Sequence, residues 1–132
     1  MSREHVKKTE DFIAAYNRRD FEAAVESFDP EIEWVLPPLQ RADSCRGPDE
    51  IKEFWRGLDE TFTELRLDPQ ECVDAGDRVA MRLRYYGRGK GSGVVIEGEL
   101  YHQVATFRDG TIVRIEYFTD WPQALEAAGV RR

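Results

Sequence analysis

The chain has 132 residues, 41% of them hydrophobic and 11% aromatic, and it carries a net charge of −7. That length fits one domain able to bury a core without cross-links, and the composition is that of a globular rather than a disordered protein. Its 19 basic residues are scattered among 26 acidic ones, which argues against a phosphate-binding groove for nucleic acid and against contact with an anionic membrane.

Val6, Phe12, Ile13 and Tyr16 recur at helical spacing and predict a first helix over about residues 3–17, broken by Asn17-Arg18-Arg19. Asp20 reads as the N-cap of a second helix, with Phe21, Ala24, Val25 and Phe28 as its buried stripe. Asp29-Pro30 ends it, because the residue before a proline is pushed out of the α region. Glu31 to Leu36 alternates as a strand and is stopped by Pro37-Pro38; a loop then runs to Gly47. Pro48 suits the first turn of a third helix, whose apolar stripe is Ile51, Phe54, Trp55, Leu58 and Phe62.

Beyond residue 63 the period becomes two. Strands are expected at about 64–73, 78–88, 94–107 and 111–119, with turns at Ala75-Gly76-Asp77, Gly87 to Gly93 and Arg108-Asp109-Gly110. A short last helix opens at Pro122 and ends at Gly129. Arg88-Gly89-Lys90-Gly91-Ser92-Gly93 has the composition of a phosphate loop but lacks its spacing and joins two strands, so a plain hairpin loop is expected. Three helices against one face of a bent, mainly antiparallel sheet make a cone-shaped α+β roll, and the unfilled part of such a cone is a pocket.

Cys45 and Cys72 have neither a disulfide framework nor a second Cys or His at ligand spacing, so reduced thiols and no metal are expected. The polar N-terminus, free of a secretory signal, and the lack of any run near the roughly 18 apolar residues of a membrane span point to a cytoplasmic protein.

The element order, the segment Asp29 to Trp34, the hairpin Phe107-Arg108-Asp109-Gly110-Thr111-Ile112-Val113-Arg114-Ile115 and the tail Ala124 to Gly129 resemble the NTF2-like superfamily, and within it the SnoaL-like group that includes polyketide cyclases. The resemblance covers nearly the whole chain and implies fold more than function. In SnoaL-type cyclases a His sits four residues before the apolar residue preceding the Arg-Asp-Gly turn, and an Asp follows fourteen residues later. Counted from Phe107, those positions hold Gln103 and Tyr117. The base of the similar ketosteroid isomerases would fall at Trp34. The family's acid–base positions are therefore substituted, and a glutamine cannot serve as a general base.

His102 and Glu116 lie one step out of that frame, and one step along a strand reverses the face. A three-residue Arg108-Asp109-Gly110 turn with a bulge at Gly110 would set Gln103 opposite Ile115 and His102 opposite Glu116. Gln103, Ala105, Phe107, Val113, Ile115 and Tyr117 would then face the cone, and His102, Arg114 and Glu116 would lie outside, in a homodimer interface. A two-residue Asp109-Gly110 turn would instead pair His102 with Tyr117 and bring it inside. The first register gives the more apolar inner set.

Tyr16, Trp34, Trp55, Tyr101 and Gln103 are the candidate ligand-binding residues. Aromatics of this size also serve as plain core, and buried tyrosine hydroxyls usually find structural partners. Glu99 shares parity with Tyr101 and Gln103 and is a candidate base whose pKa an apolar cone would raise, unless a bulge at Gly98 turns it outward. Arg82 and Arg84 alternate with Met81, Leu83 and Tyr85 and belong to the outer face, Asp120 to the cap of the last helix, and Arg46 and Asp49 to the surface.

Three functions remain open on the sequence. One is an isomerase, cyclase, dehydratase or hydrolase that needs no cofactor, with Glu99, His102 and Tyr117 sharing the acid–base and donor roles. The second is a non-catalytic binder of a small apolar molecule. The third is a protein-interaction module. A cavity-facing carboxylate or imidazole favours the first, a cavity with only neutral polar groups the second, and a filled cavity with an exposed apolar patch the third.

Overall fold

The computed structural model describes residues 2–35, 44–99 and 101–130. Helix α1 (Ser2–Asn17) and the single turn α2 (Phe21–Ala24) lead into strand β1 (Phe28–Val35). The short strand β2 (Cys45–Arg46) precedes helix α3 (Pro48–Thr61), and then come β3 (Phe62–Asp74), β4 (Arg78–Gly89), β5 (Val95–Gly98), β6 (His102–Arg108), β7 (Thr111–Phe118) and helix α4 (Trp121–Ala127). The sheet runs β2-β1-β7-β6-β4-β3, with β5 paired to β4. Every pairing is antiparallel except β1 with β7, which is parallel.

Several boundaries differ from the periodicity reading. The second helix ends after one turn, so Phe28 is a strand residue rather than part of a helical stripe, and Asp29-Pro30 sits inside an irregular stretch of β1. Pro30 is tolerated there because the ladder to β7 is broken between Phe28 and Glu33. Phe62 caps α3 in an extended conformation and starts β3. The segment expected as one strand over 94–107 is two, divided where Gly98 takes φ 129°. The expected loop to Gly47 contains β2; its portion over 37–43, with the Leu36 end of the first strand, lies outside the described residues.

The β6–β7 hairpin follows neither register considered from the sequence. Asp109 and Gly110 both have positive φ, 51° and 81°, which gives a two-residue turn of the kind that matches strand twist. Arg108 faces Thr111 and Phe107 faces Ile112; the next pair is Thr106 with Arg114, so Val113 is an extra, bulged residue. Beyond the bulge Gln103 lies opposite Tyr117 and His102 opposite Phe118. Ile112 therefore takes the inward place expected of Val113, and Ile112, Ile115 and Tyr117 all reach the inner core.

Two cores result. The inner one joins Phe12, Ile13 and Tyr16 of α1 and Ile51 and Trp55 of α3 to Ile32, Trp34, Val79, Met81, Leu83, Ala105 and the inward residues of β7. The outer one packs Trp121, Ala124, Leu125 and Ala128 over Ala80 and Val104. Helix α4 starts cleanly because Asp120 accepts from the backbone N–H of Gln123 and Pro122 occupies the first turn. Asn17, at the end of α1, makes a two-way hydrogen-bond pair with the backbone of Leu67 on edge strand β3, at 2.8 and 3.0 Å, and so stands in for a missing neighbour strand.

Candidate functional site

Inside the cone, between α1, α3 and the sheet, lies a cavity of about 290 Å³. Its wall is built almost wholly from rings and branched apolar chains. Phe12 and Tyr16 come from α1, Phe54, Trp55 and Leu58 from α3, Trp34 from β1, Phe62, Leu65 and Leu67 from β3, Tyr85 and Ile96 from β4 and β5, Tyr101 from the β5–β6 connection, and Tyr117 from β7. The two helices contribute residues at three- and four-residue spacing, and β3 contributes Leu65 and Leu67 in alternation, with Phe62 set off from them by a break in register, because each element presents one face to the cone.

Trp55 is the centre of the aromatic set. Its ring lies 5.2 Å from those of Tyr16 and Phe21, 5.6 Å from Trp34, 5.9 Å from Phe12 and 6.2 Å from Phe28, mostly edge-on. Such packing fixes the wall before anything binds. Trp34 bridges from this cluster to the deep end, with its ring 5.1 Å from Tyr117.

The deep end is polar but uncharged. The Tyr117 hydroxyl donates to Oε1 of Gln103 across 2.8 Å, and Gln103 is completely buried behind it. Among the described residues nothing accepts from Nε1 of Trp34 or from Nε2 of Gln103, although both atoms are buried. Burial pushes the Tyr117 phenol well above its ordinary pKa and that of Tyr16 up to about 12. Both remain protonated near neutrality and act as hydrogen-bond donors, not as bases.

Tyr16, Trp34, Trp55, Tyr101 and Tyr117 are thus brought together on one wall, with Gln103 in contact behind Tyr117. Glu99 and His102 are placed elsewhere. Past the kink at Gly98, Glu99 binds Arg82 at 2.7 Å on the outer side of the sheet, and that hydrogen bond holds its carboxyl below the usual range. His102 is buried on the outer side under α4, with its ring 5.5 Å from Trp121 and Nδ1 accepting from the backbone N–H of Leu83 at 3.2 Å. Burial lowers its pKa. The expected His102–Glu116 cross-strand pair does not form. The bulge shifts the partners, and Glu116 pairs with Arg114, which also reaches Glu33 at 3.1 Å.

The sequence reading missed Phe12, Phe54, Leu58, Phe62, Leu65, Leu67, Tyr85 and Ile96 as wall residues. Tyr85 carried a signal, since it alternates with the inward Met81 and Leu83. Ile96 lies on a strand too short to show a pattern. Cys45 and Cys72 are free thiols, with pKa values raised by burial, that of Cys72 to about 11. No group of three or more His, Cys, Asp or Glu is placed to hold a metal ion among the described residues.

The SnoaL-like domain family matches residues 9–115, from the first helix to the last strand. No curated protein matches the sequence. Among solved structures, an NTF2-like protein from Burkholderia thailandensis E264 is 29% identical, with a TM-score of 0.75 over 96% of this chain and 97% of that one. A TerC protein co-crystallised with polyporic acid is 24% identical, with a TM-score of 0.78 over 96% of this chain and 98% of that one. A protein of ketosteroid isomerase-like fold from Catenulispora acidiphila, in complex with trimethylamine, is 16% identical, with a TM-score of 0.74 over 94% and 93% of the two chains. The last two likenesses concern the fold alone.

Proposed function

The chain belongs to the SnoaL-like domain family, and on that basis we propose that it binds a small, largely apolar, ring-containing molecule in the cone cavity. The observation that carries this reading is the wall itself: about 290 Å³ lined by aromatic and aliphatic side chains, whose polar atoms belong to tyrosine phenols and tryptophan indoles. That volume sits at the small end for ligand sites, so a one- or two-ring molecule suits it better than a large cofactor. Each methylene withdrawn from water there contributes roughly 0.8 kcal/mol.

Catalysis of the cofactor-independent isomerase, cyclase, dehydratase or hydrolase kind needs a base within reach of the substrate. Among the described wall residues there is no carboxylate or imidazole. The binding reading is therefore the better supported of the two. The interaction-module reading has less support still, since the exposed large apolar side chains among the described residues are just Val94 and Val95. A cytoplasmic homodimer packed through the outer sheet face fits the same reading, though α4 covers part of that face. Sedimentation at micromolar concentration tests the dimer, and a monomeric mass removes it.

The test of the binding reading is a native mass spectrum of gently purified protein, followed by titration with apolar ring compounds monitored through tryptophan fluorescence. A retained or added ring compound, bound more weakly by Trp34→Ala, is the expected result. Failure of every member of a broad apolar panel overturns the reading.

A further inference from the structure

One wall residue of the cavity is set in place by two departures from regular strand structure. Along β4, Met81, Leu83 and Tyr85 alternate on the face turned to the cone, and the next inward place falls on Gly87. Gly87 is buried, and its backbone lies outside the left-handed region, so no conformational demand calls for glycine there. A β-carbon added at Gly87 would lie 2.9 Å from Cδ1 of Leu65 and 3.5 Å from Cγ1 of Ile96. Both neighbours are cavity-wall residues. The first distance is closer than two carbons pack, and a glycine inside a strand often marks such an approach.

The side chain that makes this approach is delivered by the second departure. The β3–β4 ladder pairs Phe62 with Gly89 and Thr63 with Arg88, then resumes at Arg66 with Tyr86. Two residues of β3, Glu64 and Leu65, therefore stand against the single Gly87, as in a β-bulge. Glu64 takes φ 58°, a left-handed backbone that a glutamate adopts at a cost. Bulges re-aim side chains, and this one brings Leu65 over the place where Gly87 has no side chain. Strain in one strand and a missing side chain in its neighbour meet at one point of the cavity wall.

We propose that the bulge and the glycine together form a size gauge: Leu65, seated over Gly87, sets how far the cavity extends at this end, and Gly87 is the specificity-determining position for which ring systems fit. The part of the ligand that reaches this end is a bare hydrocarbon ring edge, because Leu65 and Ile96 offer it no polar side-chain atom. This deepens the reading of the cavity as a ligand site and rests on it. A β-carbon at position 87 makes Leu65 turn; its Cδ1 is the free end of a flexible chain, and the unfilled space beside it is the cavity. The consequence is a change of size selectivity with the fold retained.

The experiment titrates toluene and naphthalene by calorimetry into the unaltered chain, Gly87→Ala, Leu65→Val and the double variant. Leu65→Val removes Cδ1, so the double variant in effect moves one methyl group from residue 65 to residue 87. In Gly87→Ala naphthalene is expected to lose roughly tenfold in affinity while toluene changes much less, the effect of one misplaced methyl group in packed space. Leu65→Val alone raises the ratio of naphthalene to toluene affinity, and the double variant returns that ratio towards its unaltered value. Thermal unfolding shows that each variant keeps its fold; if Gly87→Ala does not, the ratio in Leu65→Val alone decides. An unchanged ratio in either folded single variant, or no return in the double variant, overturns the gauge and leaves the ligand-site reading standing, since the probes bind. If neither probe binds the unaltered chain, the ligand-site reading falls and the gauge with it.

Discussion

Gln103 and Tyr117 lie directly opposite each other on neighbouring strands, and the phenol of one donates to the amide of the other across 2.8 Å. In the family frame these are the positions of a cyclase's acid–base pair. Here they form a neutral contact in which the phenol is satisfied by the amide oxygen, while Nε2 of the amide has no partner among the described residues. Tyr117→Phe strands a buried carbonyl oxygen and Gln103→Leu strands a buried hydroxyl, so each single change is expected to destabilise the fold by about 1–3 kcal/mol. The double variant should cost clearly less than the sum. Urea unfolding of the four proteins measures this, and additive losses would show that the contact contributes nothing of its own.

Trp55 touches five other rings, with 1% of its surface exposed. Trp55→Ala opens a void that so many rigid neighbours cannot collapse into, and the expected loss is about 3–5 kcal/mol. Trp34→Phe keeps a ring and gives up no protein hydrogen bond, so its loss should be much smaller. Equal losses in thermal unfolding would contradict this expectation.

Stability should fall on mild acidification, and His102 should be a cause. Its folded-state pKa is lowered by burial from an ordinary value of 6.5, with Glu99 and Asp120 opposing that effect and Arg82 adding to it. Below pH 6.5 the unfolded chain takes up the proton more readily, so the stability that His102 contributes is complete above that pH and is lost as pH falls through the lowered value. Protonation at Nδ1 also forfeits the bond from the Leu83 backbone. His102→Gln, which keeps an acceptor without a titration, should flatten the slope of unfolding free energy between pH 7 and 5. An unchanged slope would assign the acid sensitivity elsewhere.

Glu99 is bound to Arg82 on the side of the sheet away from the cavity. Glu99→Gln is therefore expected to leave ligand affinity, and its dependence on pH, unchanged in titrations of any cavity ligand. A tenfold or larger loss would return Glu99 to the site.

The order of helices and strands was legible in the sequence because long amphipathic stretches such as Pro48 to Thr61 and the alternation around Met81 and Leu83 each admit one reading. Which of Gln103 and His102 faces inward stayed open between two registers; the structure sets Gln103 against Tyr117 and His102 beside Trp121 of α4. The partners depend on Val113, whose extra place in β7 lets Ile112 and Ile115, three residues apart, share a face. Nothing in a valine announces a bulge, since the same residue fits a regular strand. The burial of His102 was illegible for a similar reason: α4 is too short for its pattern to say which face of the sheet it covers.

The parallel pairing of β1 with β7, which sets Trp34 beside Ile115, also governs when the cavity can come into being. During synthesis the N-terminal helices and β1 emerge long before the strand that must lie against β1. An apolar Ile32 and Trp34 therefore wait, uncovered, until β7 is made. Contacts so far apart along the chain form late and slowly, because a long loop must close before they contribute anything. The cavity is expected to form only once β7 has been made rather than piecemeal, and chains stalled before Thr111 should be sticky and chaperone-dependent.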